Sequence, residues 1–109
     1  MYKNHTMKAL AKSQAAGAQV LGNRGFEYLP HHQLQIEVSA QPSAGTLKVE
    51  YKTPGATEYC EVAGSPVDLT ALNRASAFRL DDVFIESLQF TPVGLDADKN
   101  YSVIVTSNE

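Results

Sequence analysis

The fold is decided by residues 45–63, which read GTLKVEYKTPGATEYCEVA. In the first part of this stretch apolar side chains alternate with charged ones, the two-residue period of a strand with one buried and one solvated face. The segment Thr53-Pro54-Gly55-Ala56 then has the sequence of a type II turn, whose third position requires the positive φ that glycine adopts readily. A second strand is predicted to return through Tyr59 to Val62. The stretch therefore predicts a β-hairpin, which by itself carries no chemistry.

The same alternation recurs in the rest of the chain. Further strands are predicted at 26–29, 33–40, 67–69, 77–80 and 99–107, with Leu34, Ile36, Val38, Tyr101, Val103 and Val105 facing inward. Together with the hairpin this gives about seven to eight short strands, spaced roughly 8–12 residues apart and separated by turns that contain glycine or proline. That pattern is typical of an all-β fold, an antiparallel β-sandwich or jelly roll.

Two places depart from simple alternation. Within 81–90, Phe84 and Ile85 are consecutive apolar residues, and one residue is out of phase near 86–87, which predicts a β-bulge. In the last strand Ile104 faces away from the apolar residues on either side of it. We therefore expect this strand to be covered on both faces, the second cover being either the N-terminal part of the chain or another subunit.

The N-terminal residues 1–25 differ from the remainder. They are polar, basic and rich in alanine, and the sequence at 22–25, GNRG, breaks regular structure. A weak stripe at helical spacing consists of Met7, Leu10, Gln14, Ala18 and Leu21. We interpret residues 1–25 as an arm, extended or partly helical and with little core of its own, and residues 26–109 as the β-sandwich domain.

Charge and composition exclude several classes of protein. The net charge is −3, with +3 on residues 1–32 and −6 on the remainder, so the predicted body has no basic face for nucleic acid. Nothing in the sequence has the length and hydropathy of a membrane span, and the first residues do not form the apolar run of a signal peptide. We expect the chain to be made in a reducing cytoplasm.

The residues that usually carry chemistry are few. The single cysteine, Cys60, excludes an internal disulfide and a cysteine-based zinc site, and its phase with Val62 predicts a buried apolar role. Adjacent His31 and His32 point to opposite sides of a strand, so we interpret them as surface residues and not as a metal site. Neither a nucleophile elbow nor a phosphate-binding glycine loop occurs. We therefore expect no enzymatic activity and no cofactor.

Contacts with other molecules are predicted for aromatic and apolar residues outside the core phase. Tyr59 is out of phase with its neighbours on the second hairpin strand, which makes it the best candidate for an exposed aromatic contact. The arm and Ile104 supply the others. The candidate interface residues are Met7, Leu10, Val20, Leu21, Phe26, Tyr28, Tyr59 and Ile104.

The region from about residue 45 to 107 resembles small virion proteins of tailed bacteriophages. The segments that carry the resemblance are GTLKV at 45–49 leading into TPGA at 53–56, VDL at 67–69, LQFTP at 88–92, and GLDAD at 94–98 leading into YSV at 101–103. The resemblance implies a structural protein of the virion, namely a capsid decoration or cement protein on the capsid surface. Its implied partners are the major capsid protein and copies of itself, for instance as a trimer.

Two alternatives stay open. A tail or baseplate component belongs to the same structural class and differs in copy number. A carbohydrate- or receptor-binding β-sandwich module belongs to a different class and would use Tyr59 together with loop residues.

Overall fold

The computed structural model describes residues 4–8, 12–22, 29–71 and 75–108. Within these residues the chain forms two antiparallel sheets packed face to face, which confirms the predicted β-sandwich. The strands are β1 (Asn4–Lys8), β2 (Lys12–Ser13), β3 (Gln19–Gly22), β4 (His31–Val38), β5 (Thr46–Lys52), β6 (Cys60–Glu61), β7 (Val67–Asp68), β8 (Ala75–Leu80), β9 (Ser87–Val93) and β10 (Asn100–Asn108). Short 3₁₀ turns occupy Gln14–Ala16 and Leu69–Ala71.

Each sheet has two long strands at its centre, β10 and β4 in sheet A and β9 and β5 in sheet B. In sheet A the order is β1-β10-β4-β8, and β2 also pairs with β10. In sheet B the order is β3-β9-β5-β6, and β7 also pairs with β5. The loop between β8 and β9 and the loop between β9 and β10 both cross from one sheet to the other.

The core is formed by the inward phase of the longest strands. Leu34 and Ile36 on β4 are fully buried, and they belong to the same hydrophobic core as Leu47 and Val49 of β5. The inward residues predicted for β4 and β10 are all buried. The apolar residues at period two on these strands therefore predicted both the strand conformation and the buried face.

The central hairpin forms with the predicted turn. The amide of Ala56 donates to the carbonyl oxygen of Thr53 at 3.0 Å, and Gly55 has φ of 87°. The prediction that Cys60 is buried is wrong, because its side chain is exposed. Cys60 has the inward phase, but it lies on a two-residue edge strand opposite Tyr51, which is itself only half-buried.

The described part of the arm pairs with both sheets. Strands β1 and β2 lie beside β10, and β3 lies beside β9. Between them the Gln14 side chain donates from Nε2 to the carbonyl of Pro92 at 3.0 Å and accepts at Oε1 from the amide of Leu95 at 2.9 Å. The only helical segment among the described arm residues is the 3₁₀ turn at 14–16.

Strand β1, in the described part of the arm, lies at an edge of sheet A. Lys8 of β1 is the register partner of Ile104, so the two strands lie side by side in one plane. Ile104 remains half-buried on the outer side of β10. Backbone pairing therefore places the described strands of the arm in the sheets and not above Ile104. The second cover of this strand, either the N-terminal part of the chain or another subunit, stays a prediction.

The irregular phase within 81–90 arises from a loop. Residues 81–86 are not in a strand, and β9 begins only at Ser87 and continues through Pro92 to Val93. The predicted β-bulge is therefore wrong. The chain crosses from sheet A to sheet B here, so Ile85 enters the core while Phe84 stays on the surface.

Tyr101 provides a test of core energetics. Its side chain is 1% exposed, its hydroxyl has no hydrogen-bond partner among the described residues, and burial raises its pKa to about 12. Since an unsatisfied buried hydroxyl is costly, Tyr101→Phe is expected to leave the free energy of unfolding unchanged or raise it by about 1 kcal/mol. Urea denaturation measures this difference.

Tyr59→Phe is the matched control for that prediction. The Tyr59 hydroxyl lies 2.8 Å from Ser87 Oγ, so its loss is expected to lower stability by about 1 kcal/mol. A Tyr101→Phe variant that loses as much stability as Tyr59→Phe would show that the Tyr101 hydroxyl is satisfied.

Candidate interaction surface

The predicted interface residues that the structure describes are distributed over both sheets. Val20, with 56% of its surface exposed, and half-buried Leu21 lie on β3, the edge strand of sheet B. Met7 lies on β1 and Ile104 on β10, both in sheet A. Leu10, Phe26 and Tyr28 lie outside the described residues.

Tyr59 is held against the outer side of sheet B. Besides its hydrogen bond to Ser87, its ring lies 5.2 Å from Lys52 Nζ, which is also 3.5 Å from Glu86 Oε2. A cation over an aromatic ring is attracted to its negative face. Tyr59, predicted as the best candidate for an exposed aromatic contact, is therefore a half-buried residue with local partners, and its contact role stays a prediction.

The loop at 81–86 is tied to three parts of the sandwich. The amide of Val83 donates to the Pro30 carbonyl at 3.1 Å, just before β4. The amide of Glu86 donates to the Lys52 carbonyl at 2.7 Å, at the end of β5. The third tie is the Val83 carbonyl, which lies 3.0 Å from Nε2 of His32. These bonds fix the loop on both sides of Phe84.

His32 is fully buried at the start of β4, so its prediction as a surface residue is wrong. Its Nδ1 lies 2.7 Å from Ser107 Oγ. Because the Val83 carbonyl can only accept, Nε2 carries the hydrogen in the neutral ring and Nδ1 accepts from the Ser107 hydroxyl. His32 shares its phase with Leu34 and Ile36, and that period-two signal was sufficient to predict an inward side chain.

Protonation of His32 is opposed by burial. Desolvation lowers its pKa below the ordinary 6.5, against the opposing effect of its hydrogen bond to the Val83 carbonyl; His31 lowers it further and Asp81 raises it. The unfolded chain therefore binds more protons than the folded chain as the pH falls below about 6.5. The contribution of neutral His32 to the stability of the fold is therefore complete above that pH. It is lost as the pH falls through the pKa that His32 has in the folded chain.

We expect the stability of the protein to fall between pH 7.5 and pH 5 because of His32. Urea unfolding at half-unit pH intervals measures this, and NMR titration of the ring should place its pKa below 6.5. His32→Gln should flatten the profile. Equal slopes in the wild type and His32→Gln would contradict the assignment.

His31, next to the buried histidine, lies on the outer side of β4. Its Nδ1 is 3.0 Å from Asp81 Oδ1, and the same oxygen accepts from Arg79 Nη2 at 3.3 Å. These two contacts lower the pKa of Asp81. The hydrogen bond from Arg79 has the larger effect and the one from His31 the smaller. The pairs are exposed and contribute little to stability, but they order the first residue of the 81–86 loop.

Phe84 is the residue at this end of the sandwich that sequence reasoning passed over. It is 51% exposed, whereas the following residue, Ile85, is completely buried. Among the described residues, the other large hydrophobic side chains exposed to this degree are Val20 and Val93, so Phe84 is the aromatic one. Two consecutive apolar residues cannot both point inward from an extended segment, and this was the available signal.

The three histidine positions converge at one end of sheet A. His5 is the register partner of Ser107, and Ser107 is the register partner of His32. Within the residues whose side chains are described, no three His, Cys, Asp or Glu residues are grouped so that they could hold a metal ion. The helical segments in the described ranges are the two 3₁₀ turns, neither of them long enough to cross a membrane.

The sequence matches no protein-family model and no curated protein. Among solved structures, the SPBc2 prophage-derived protein YomS superposes with a TM-score of 0.54 at 8% identity, covering 100% of this chain and 96% of that one. The PBSX exported protein XepA superposes with a TM-score of 0.53 at 12% identity, covering 99% of this chain and 38% of that one.

AlgX from Pseudomonas aeruginosa shares the fold as well, with a TM-score of 0.56 at 13% identity over 92% of this chain and 25% of its own. The chain thus spans about a quarter of AlgX and little more than a third of XepA. At such identities these likenesses show the β-sandwich fold alone. Of the three proteins, YomS is prophage-derived.

Proposed function

We propose that this chain is a structural protein of a bacteriophage particle, a capsid decoration protein that binds the major capsid protein and braces the shell. The observation that carries the proposal is that the entire chain superposes on nearly all of the prophage-derived YomS. The resemblance of residues 45–107 to small virion proteins supports the same class. In this role the chain makes and breaks no bond and requires no cofactor.

The architecture suits a structural protein that occupies a fixed position in an assembly. Strands β1 and β3 extend the two sheets at their edges, and Gln14 ties the intervening turn to the loop between β9 and β10. The result is a compact body, with a radius of gyration of 13.5 Å, that can present the same contacts from every copy. Repeated copies, including self-association as a trimer, would convert weak single contacts into firm attachment.

Quantitative mass spectrometry of purified particles tests the proposal. A decoration protein is expected on the order of hundreds of copies per particle, on the capsid surface, because it repeats with the shell symmetry. Copies on the order of tens would instead support the alternative of a tail or baseplate component. Absence from particles would refute both.

A carbohydrate- or receptor-binding module is the remaining alternative. It would need Tyr59 as a stacking platform, but the Tyr59 ring already contacts Lys52 and its hydroxyl is engaged by Ser87. We therefore favour the structural role. Binding on a glycan array that is lost in Tyr59→Ala would reverse that preference.

A further inference from the structure

Phe84 is exposed on a loop that is held in one conformation. The residue before it is bound through both its amide and its carbonyl, to Pro30 and His32, and Glu86 is bound to Lys52. Asp82 adopts a positive φ of 58°, which turns the chain immediately ahead of Val83 and Phe84. The exposure of this ring is therefore not the result of a loose segment.

An exposed aromatic ring on an ordered loop has the properties of a binding anchor. Interfaces concentrate their energy in a few aromatic or arginine residues that enter pockets on the partner. Because the loop is already fixed, association would order little additional backbone, and that cost is one of the main losses on binding. The next residue, Ile85, is completely buried, whereas the Phe84 side chain is directed to the surface.

The charges around Phe84 indicate the chemistry of the partner. The loop 81–86 contains Asp81, Asp82 and Glu86 and no basic residue. Arg79 and His31 contact Asp81, and Lys52 contacts Glu86, so the local balance with neutral histidine is −1. A partner pocket with a basic rim would complement this surface.

We propose that the loop 81–86 is the docking surface of this protein, with Phe84 inserted into an apolar, basic-rimmed pocket of the shell protein. This inference rests on the proposed function and names the surface that performs it. A second copy is a poorer occupant for the same surface, because two acidic rims would repel one another and the body carries a charge of −6 from residue 33 onward.

Cosedimentation with shells assembled from the major capsid protein, and lacking this chain, tests the proposal. Phe84→Ala is expected to weaken binding about thirtyfold or more, as truncation of an aromatic anchor does. Val93→Ala is the matched control, because Val93 is 56% exposed but lies at the end of β9, and it should bind like the wild type. Both variants should keep the melting temperature of the wild type within about 2 °C.

Asp82→Asn tests the acidic rim separately. Asparagine tolerates the positive φ at this position, so the substitution removes charge without straining the loop. We expect binding about threefold weaker at low salt, and a difference from the wild type that shrinks as salt screens the charges. Equal binding by the two proteins at low salt would contradict a basic rim.

The outcomes separate the two proposals. If the wild type does not bind shells, the proposed function fails and this inference falls with it. If the wild type and Phe84→Ala bind equally well, the docking surface is wrong while the proposed function stands. If Phe84→Ala abolishes self-association in analytical ultracentrifugation and leaves shell binding intact, Phe84 serves a second copy and the inference is also overturned.

Discussion

Val49→Asp is expected to unfold the protein at neutral pH. Val49 is completely buried in the middle of β5, with Phe90 of β9 as its register partner on one side and the Val62 amide bonded to its carbonyl on the other. A carboxylate at this position would be desolvated without a partner, at a cost of several kcal/mol. That is comparable to the entire stability of a typical domain, about 5–15 kcal/mol. Far-UV circular dichroism and amide proton NMR dispersion report the loss of structure.

Val93→Asp is the control for Val49→Asp. It introduces the same charge by the same substitution, but Val93 is 56% exposed at the end of β9, so its carboxylate stays hydrated. This variant should fold with a stability within about 0.5 kcal/mol of the wild type. A Val49→Asp protein that unfolds cooperatively at the wild-type midpoint would show that the inward phase of β5 does not form the core.

The strands with apolar residues at every second position were predictable, because this pattern depends only on which side of the strand each residue faces. In β4, β5 and β10 every second residue meets the opposing sheet, so apolar residues at period two identify both the strand and its buried face. The type II turn was equally predictable, since the positive φ of Gly55 is a property of the turn itself. These signals depend on a few neighbouring residues and not on the rest of the fold.

The wrong predictions depend on where a strand lies in its sheet. Cys60 has the inward phase of Val62, but β6 is a two-residue edge strand, and phase alone does not say how far the core extends. His32 is predicted at the surface together with His31, although its phase indicates burial. Its partners, Ser107 and the Val83 carbonyl, are distant in sequence, so the bonds that make a buried imidazole tolerable were not visible.

The candidate surface was the least predictable part. Phe84 was interpreted within an irregular strand, because an out-of-phase apolar pair fits a bulge as well as a crossing loop. Only the assignment of β8 to sheet A and β9 to sheet B shows that the chain must cross there. The pairing of the arm could not be predicted for a similar reason. Its alanine and glutamine residues give little alternation of apolar and polar side chains, and the strands with which it pairs, β9 and β10, are distant in sequence.

Gly45→Ala is expected to destabilise the protein by about 2–4 kcal/mol, because strain at a disfavoured φ and overpacking each cost about 1–3 kcal/mol. Gly45 has φ of 131°, and a Cβ at this position would lie 2.7 Å from the Leu95 Cα and 3.1 Å from its amide nitrogen. A backbone contact cannot be relieved by a change of rotamer, so either the start of β5 or the loop between β9 and β10 must move. Neither is free, since the Gly45 carbonyl accepts from the Leu69 amide and the Leu95 amide donates to Gln14.

Gly55→Ala separates backbone strain from the steric clash at Gly45. Gly55 also has a positive φ, 87°, but a Cβ there would have no atom within 4 Å. It should therefore incur the conformational cost alone, about 1–2 kcal/mol. Urea denaturation of the two variants measures the difference, which we attribute to the contact between Gly45 and Leu95. Equal losses of stability would mean that the backbone around Gly45 or Leu95 moves at little cost. The start of β5 and the loop between β9 and β10 would then be packed less rigidly than their hydrogen bonds indicate.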